Sequence, residues 1–132
     1  MTAAPSATWT AGELRRAGAA EELQIASRRS DGSLRPFVTI WVMRVGDGLY
    51  VRSAYDTDNP WFRRAKASGT GRVRAGGIER DVTFTAPDGY AAVHADIDAA
   101  YHAKYDRYGP QIVGSVVGPH AAPGTLRLAP QH

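Results

Sequence analysis

The sequence predicts a mainly β protein with α elements, an α+β fold built on a six- to seven-stranded antiparallel barrel. Short runs rich in apolar and β-branched residues recur from residue 21 to residue 130, which is typical of strands. Tight turns separate them, at Asp31-Gly32, Gly46-Asp47-Gly48 and Gly76-Gly77. Because small antiparallel sheets remove exposed edges by closing, a barrel is favoured, while a sandwich of similar strand count stays open.

Length and composition indicate one soluble domain. The chain has 132 residues, no cysteine and a formal net charge of +3. We therefore expect a flexible N-terminal arm over residues 1–8 and a single domain over residues 9–132. The lack of cysteine excludes disulfides and thiolate chemistry, and the small charge gives no reason to expect a nucleic-acid partner. No apolar stretch matches a signal peptide or a membrane span, so we expect a cytoplasmic protein without membrane contact.

The first half of the chain predicts one helix and three strands. Thr10-Ala-Gly-Glu13 has the pattern of a capping box, which predicts a helix ending near Ala19. The predicted strands cover residues 21–30, 34–45 and 49–53. The second is nearly continuous in apolar residues, which indicates burial on both faces. Since one barrel cannot cover all its outward residues, we expect them to pack on a second copy in a homodimer.

The second half predicts two helices among further strands. Asn59-Pro60 fits an N-cap followed by proline, so a short mid-chain helix is expected from Pro60 to about Ala67. Asp96 is expected to cap a late helix that ends near Tyr108, before Gly109-Pro110. The predicted strands cover residues 71–75, 78–86 and 90–95, with a returning edge strand at 125–130; residues 112–117 are expected to be helical.

Cationic residues gather around the turn that leads into the mid-chain helix. Arg52 and Ser53 end a strand there, and the unpaired N–H groups of a helix start favour an anion. Arginine adds a planar fork of donors that suits phosphate oxygens. We expect these groups to converge on one phosphate, with Trp61 covering an aromatic ring. The alternative is a solvated basic surface with Trp61 in the core.

The late helix carries a tyrosine stripe at the spacing of one helix face, formed by Ile97, Tyr101, Tyr105 and Tyr108. A core-facing stripe is the simpler interpretation, because phenol groups can reach the rim of a core. In the functional alternative, one tyrosine is a proton donor or contacts substrate.

A metal site is not predicted. His94, Asp96 and Asp98 would share one face of an extended strand, and such a set can bind a divalent ion. A helix that starts at Asp96 removes that shared face, and both aspartates are then explained by the helix start.

Several blocks in order carry a family resemblance. The segments IWVMRVGDGLYVRS, WFRRA, GRVRAGG and AYHAKYDRYG resemble the domain of unknown function 2255 family. That family is similar to the flavin-binding split β-barrel superfamily, which includes pyridoxine phosphate oxidase-like and deazaflavin-dependent nitroreductase-like proteins. The resemblance covers roughly residues 21 to 130. It implies a split β-barrel with a short mid-chain helix and a late helix.

The resemblance also implies a homodimer with a flavin or deazaflavin in the groove between subunits. In place of the Pro-x-Trp-Tyr of the deazaflavin branch, this chain has Pro60-Trp61-Phe62, so FMN, a deazaflavin and no cofactor at all stay open. The residues implied for cofactor binding are Thr39 and Trp41 near the ring system, and Arg52, Ser53, Trp61, Arg64 and Lys66 near the phosphate and the helix.

Two functions follow from these expectations. The first is a flavin- or deazaflavin-dependent oxidoreductase, nitroreductase-like, that acts on a small organic molecule; Tyr55 or Tyr101 would protonate the product. It requires at least two of Arg52, Arg64, Lys66 and Arg72 to point into one groove near Ser53. The second is a cofactor-free split barrel that binds or converts a small metabolite without redox chemistry.

Overall fold

The computed structural model describes residues 8–54, 57–87 and 91–131. These residues form one seven-stranded antiparallel sheet with strand order β2-β1-β5-β6-β7-β4-β3. The strands are β1 Leu23–Ser27, β2 Val38–Ile40, β3 Met43–Val45, β4 Gly48–Arg52, β5 Thr70–Ala75, β6 Ile78–Thr85 and β7 Thr125–Pro130. The helices are α1 Ala11–Ala19, α2 Pro60–Ser68, α3 Val93–Tyr105 and α4 Pro110–Gly114, with 3-10 turns at Asp106–Tyr108 and Ala122–Gly124. The predicted split barrel of α+β class is confirmed.

The strand predicted over residues 34–45 is divided into β2 and β3. The two pieces end opposite edges of the sheet, and only Trp41 and Val42 separate them. One bent segment therefore brings the sheet round on itself. The prediction of burial on both faces is wrong for β2, because Val38 and Thr39 are exposed.

The predicted start of α1 is confirmed. Thr10 accepts a hydrogen bond from the Glu13 amide, and Glu13 accepts one from the Thr10 amide, which completes the capping box. The helix buries Leu14 and Ala17 in the main core. Just before it, the indole of Trp9 donates to the Leu128 carbonyl at 2.9 Å, so the helix start is anchored to β7.

The hairpin between β5 and β6 also forms as predicted. Gly76 and Gly77 both have positive φ, 57° and 85°, a region that glycine enters without steric cost. Within β5, Gly71 lies very close to the backbone of β1. A Cβ at this position would be 2.1 Å from the Ala26 carbonyl oxygen. This position fixes how closely β1 and β5 approach.

Two predictions for the last third of the chain are wrong. Residues 125–130 were expected at a sheet edge, but β7 pairs with both β6 and β4. No strand forms over residues 91–95, because α3 starts at Val93 with Ala92 as its N-cap; residues 88–90 lie outside the described part of the chain. Asp96 is therefore inside the first turn of α3 and is not its cap.

The tyrosine stripe builds a second core between α3 and the sheet. Ile97, Tyr101 and Tyr105 are fully buried and pack with Met43, Tyr50, Val113 and Val116, which confirms the core-facing interpretation for these three residues. Tyr108 remains 48% exposed. No helix within the described ranges is long and apolar enough to cross a membrane.

Candidate functional site

A mainly apolar cleft lies where the edge strand β2 faces the start of α2. Its volume is about 400 Å³, within the range of roughly 300–1,000 Å³ usual for small-molecule sites. It is lined by Glu22, Val38, Thr39, Ile40, Trp41, Arg52, Ala54, Asn59, Trp61, Ile112, Ser115 and Val116. The structure thus brings together four of the residues that the sequence nominated: Thr39, Trp41, Arg52 and Trp61.

The ring of Trp41 is held rigidly in the wall of this cleft. It stacks on Tyr105 with centroids 4.0 Å apart and planes inclined by 5°. Tyr105 is itself fixed, because its hydroxyl donates to the Glu21 carbonyl at 2.6 Å. Such support limits the rotamers of the tryptophan, so its ring is oriented before any ligand arrives.

The opposite wall is the first turn of α2. Trp61 is half-buried and packs edge-on against Phe62, with centroids 5.9 Å apart. Asn59 does not cap the helix with its side chain. Instead, its amide donates to the Ser53 hydroxyl at 2.7 Å and to the Ala54 carbonyl at 2.8 Å. The predicted binding residue Ser53 is therefore already tied to the helix start.

Arg52 forms a buried polar cluster behind the cleft. Its side chain is 0% exposed, and it donates to Thr125 Oγ1 at 2.9 Å, to the Val116 carbonyl at 2.8 Å and to a carboxylate oxygen of Asp98. Its second terminal nitrogen lies 3.2 Å from His94 Nδ1. These contacts join β4, β7, α3 and the segment after α4.

His94 and Asp98, which the sequence offered as possible metal ligands, belong to this cluster. Both side chains contact the Arg52 guanidinium, so a cation already lies between them. Asp98 accepts a further hydrogen bond from the Gly118 amide at 3.2 Å. Among the described residues, no group of three or more potential ligands is placed to hold a metal ion.

The predicted cationic clamp is not assembled at one point. Arg64 lies in a separate groove on α2, and Lys66 is exposed with its ammonium 5.9 Å from the centre of the Phe62 ring. Arg72 pairs with Asp81 at 2.8 Å and with Glu79 at 3.4 Å. Of the four cations, only Arg52 lies at the cleft, so the expected meeting of at least two of them in one groove near Ser53 is not found. Tyr55 lies outside the described residues.

Tyr101 has a buried hydroxyl without a hydrogen-bond partner among the described residues. Its ring centre is 5.8 Å from the Arg52 guanidinium carbon. Burial raises the pKa of the Tyr101 phenol far above its ordinary value, although the nearby positive charge of Arg52 opposes the shift. The phenol therefore stays protonated, a state that can donate a proton but not accept one.

Replacing Tyr101 with phenylalanine tests whether this hydroxyl is structural. Since it has no partner, we expect the free energy of unfolding to stay the same or rise by up to about 1 kcal/mol. Urea unfolding followed by circular dichroism measures this. A loss of more than about 1 kcal/mol would show that the hydroxyl makes a stabilising hydrogen bond. If Tyr101→Phe instead lost enzymatic turnover without losing stability, the result would support the predicted role of Tyr101 as a proton donor.

Sequence reasoning missed several lining residues. Asn59 was interpreted only as a cap, and Ile112 and Val116 only as part of a helical piece. Ile112 is 44% exposed, although its segment is otherwise apolar. The one available signal for this wall of the cleft was Ile112 itself, an apolar residue on the outer face of a very short helix.

The fold is similar to those of several solved structures. One is HutZ, the heme storage protein from Vibrio cholerae, with a TM-score of 0.65 and 13% identity over 92% of this chain and 87% of that chain. A second is an FAD-binding protein from Mesorhizobium loti, with a TM-score of 0.58 and 18% identity over 95% and 92%. A third is an F420 reductase, with a TM-score of 0.55 and 16% identity over 94% and 97%. At these identities the likeness shows the fold.

Comparison at the sequence level gives the family. No curated protein sequence matches the chain. A family model described as an uncharacterized protein conserved in bacteria, domain of unknown function 2255, matches residues 13–128. This match spans most of the chain and confirms the resemblance found in its sequence blocks. The chain therefore belongs to the domain of unknown function 2255 family, and its fold is that of the split-barrel flavin- and heme-binding proteins.

Proposed function

We propose that the cleft between β2 and α2 binds the planar ring system of a flavin or deazaflavin, and that the protein is an oxidoreductase acting on a small organic molecule. The observation that carries the proposal is the pair of tryptophans, Trp41 and Trp61, on the walls of one mainly apolar cleft. Aromatic faces of this kind stack well on a fused aromatic ring. The fold class, shared with an FAD-binding protein and an F420 reductase, supports the same choice.

The chemistry divides between ligand and protein. A bound flavin or deazaflavin supplies hydride transfer. The chain would supply orientation, through the stacked Trp41 and the half-buried Trp61, and a hydrogen bond from Thr39, which lines the same cleft. The apolar wall formed by Ile40, Ile112 and Val116 would exclude water from the reacting face.

The cleft is open on the side that a second copy would cover. Val38 is 38% exposed and Ile112 is 44% exposed, and no strand of the described part of the chain pairs with the outer side of β2. Exposed apolar side chains on an unpaired edge favour association. We therefore retain the homodimer as part of the proposal, with the cleft at its seam. Sedimentation as a monomer at micromolar concentration would argue against it.

Titration with candidate cofactors tests the proposal. The visible spectrum of the purified protein is recorded first, and then FMN, FAD and F420 are added while flavin fluorescence or anisotropy is followed. We expect saturable binding of at least one of them below about 50 µM, an affinity of roughly 6 kcal/mol. No chromophore and no binding at this concentration would remove the redox function.

The variant Trp61→Ala locates the binding site. Losing one stacked aromatic face should weaken cofactor binding roughly tenfold, measured as the dissociation constant in the same titration. Arg15→Ala is the matched control, because Arg15 is an exposed residue of α1 that does not line the cleft. Equal affinities for both variants would place the ring elsewhere.

One observation favours a second candidate function. Among the described residues, Arg52 is the only cation that lines the cleft, and its donors are engaged by Thr125, Asp98 and Val116. A neutral apolar metabolite would suit this wall better than a phosphorylated cofactor. Under this alternative the protein binds or converts a small metabolite without redox chemistry. Flavin titration separates the two, since only the first function requires a bound chromophore.

A further inference from the structure

A second concave site lies on the outer side of α2 and is dominated by arginine. The groove has a volume of about 860 Å³ and is lined by Arg28, Arg29, Ser30, Arg35, Pro60, Arg63, Arg64, Ala67, Ser68 and Thr70. Five of these residues carry a guanidinium group and none is acidic. The groove shares no lining residue with the tryptophan cleft, so its function can be tested separately.

In the described part of the chain, three arginines of this groove lack the carboxylate partner that many other arginines of the fold have. Arg72, Arg74, Arg80 and Arg107 each pair with a carboxylate within 3.4 Å. In the groove, by contrast, Arg35, Arg63 and Arg64 make no ion pair among the described residues. Neighbouring positive charges repel one another. An anion bound in the groove would remove that repulsion.

The remaining two arginines, Arg28 and Arg29, already have partners within the protein. Arg28 pairs with Asp81 at 2.9 Å and donates to the Gly32 carbonyl at 2.8 Å. Arg29 donates to the Leu34 carbonyl at 2.9 Å, and its charge helps to lower the pKa of Asp31, after the larger effect of hydrogen bonds from Ser33. These contacts hold Arg28 and Arg29 in place, and leave Arg35, Arg63 and Arg64 as the donors available to a ligand.

The backbone around the groove is firmly held. The Arg28 amide donates to the Thr70 carbonyl at 3.0 Å, and the Arg35 amide donates to the Ser27 carbonyl at 2.9 Å. On the other wall, Pro60, Arg63, Arg64 and Ala67 share one face of α2, at i, i+3, i+4 and i+7. Both walls of the groove thus carry guanidinium groups on backbone that is held by hydrogen bonds, which reduces the entropy lost when both walls contact one ligand.

The shape and composition of the groove point to a small ligand with several phosphates. Planar guanidinium forks match phosphate oxygens in bidentate fashion, and a ligand with several phosphates could contact the cations of both walls. None of the described residues that line the groove is aromatic, so this part of the chain gives it no stacking surface of the kind that single-stranded nucleic acid uses. The formal net charge of +3 is also low for a nucleic-acid-binding domain.

We infer that the groove between the β1–β2 connection and α2 binds a small ligand carrying two or more phosphate groups, the class that includes nucleoside diphosphates and triphosphates. Arg35 on one wall, and Arg63 and Arg64 on the other, would share its phosphates. The positive end of the α2 dipole, at Pro60, adds to the attraction.

Calorimetry with simple anions tests this inference on the full-length protein. The probes are pyrophosphate, tripolyphosphate and orthophosphate, each titrated at low ionic strength and again at higher salt. We expect affinity to rise from orthophosphate to tripolyphosphate by at least roughly tenfold, and to fall with added salt. Equal and weak binding of all three anions would overturn the inference.

Variants identify the binding residues. Arg35→Gln and Arg63→Gln should each weaken tripolyphosphate binding roughly tenfold, as expected for a lost charge-assisted contact. Arg15→Gln, outside the groove, should leave it unchanged. Arg63 is exposed and Arg35 is partly exposed, so circular dichroism should show the same fold for all variants. If Arg15→Gln weakened binding as much as the groove variants, the anion site would be non-specific and the inference wrong.

A short single-stranded oligonucleotide separates a small ligand from a macromolecular one. At the same salt concentration, we expect it to bind no more tightly than tripolyphosphate. Much tighter binding of the oligonucleotide, lost in Arg35→Gln and Arg63→Gln, would replace the small-ligand inference with a nucleic-acid interface.

Discussion

Replacing Arg52 with methionine is expected to destabilise the fold by about 3 kcal/mol. The change removes a fully buried guanidinium that contacts Thr125, Asp98, His94 and the Val116 carbonyl. Asp98 would then lack its main counter-charge, and the Thr125 hydroxyl and the Val116 carbonyl would lose the hydrogen bonds that Arg52 donates. Because Asp98 is 31% exposed, water can solvate part of its charge, which keeps the loss near the lower end of the range for buried pairs. Urea unfolding measures it.

Arg44→Met is the matched control for this experiment. Arg44 is exposed on the neighbouring strand β3, and among the described residues its side chain donates only to the Gly46 carbonyl, so its loss should cost about 0.5 kcal/mol or less. Arg52→Lys should restore only part of the stability, since an ammonium cannot reproduce the planar fork. If Arg52→Met and Arg44→Met were equally stable, the buried cluster would not be what joins α3 to the barrel.

Gly71→Ala should cost at least about 3 kcal/mol, which is large for adding one methyl group. The new Cβ would lie 2.1 Å from the Ala26 carbonyl oxygen and 2.8 Å from the Phe84 ring. The carbonyl belongs to β1, which pairs with β5 from Gln24↔Arg74 to Ser27↔Gly71. Relief of the clash requires β1 and β5 to separate, and this breaks hydrogen bonds of the ladder. Thermal unfolding measures the loss.

Gly114→Ala is the control for the added methyl group. A Cβ at Gly114 would meet open space, and alanine is the better helix former by up to about 1 kcal/mol. This variant should therefore be as stable as the unmodified protein or slightly more stable. A Gly71→Ala protein with unchanged melting temperature would contradict the close approach of β1 and β5.

The parts of the fold that were predicted correctly depend on local chemistry. The capping box at Thr10 and Glu13 forms as expected, and Gly76-Gly77 makes the expected hairpin turn, because each needs only a few neighbouring residues. The central position of β7 was missed because strand order depends on contacts between distant segments. The bend at Trp41-Val42 was missed because an apolar run looks the same whether it continues or turns.

The candidate site was predicted only in part, because some of its contacts also join distant segments of the chain. Trp41 and Trp61 were nominated from family blocks, and they do lie in one cleft. Arg52 was expected to meet a phosphate, because arginine suits phosphate oxygens and the family resemblance implied a phosphate site beside the α2 start. Its partner Asp98 lies 46 residues further along the chain, and nothing in the local sequence indicates that the two meet.

A crystal structure of the protein grown with FMN, or with F420 if that cofactor binds more tightly, tests the central claim most directly. We expect the fused ring in the cleft between β2 and α2, in contact with Trp61 and beside Trp41, with a second copy covering Val38 and Ile112. A ring bound away from both tryptophans, or a cleft filled by side chains of the second copy, would contradict the account.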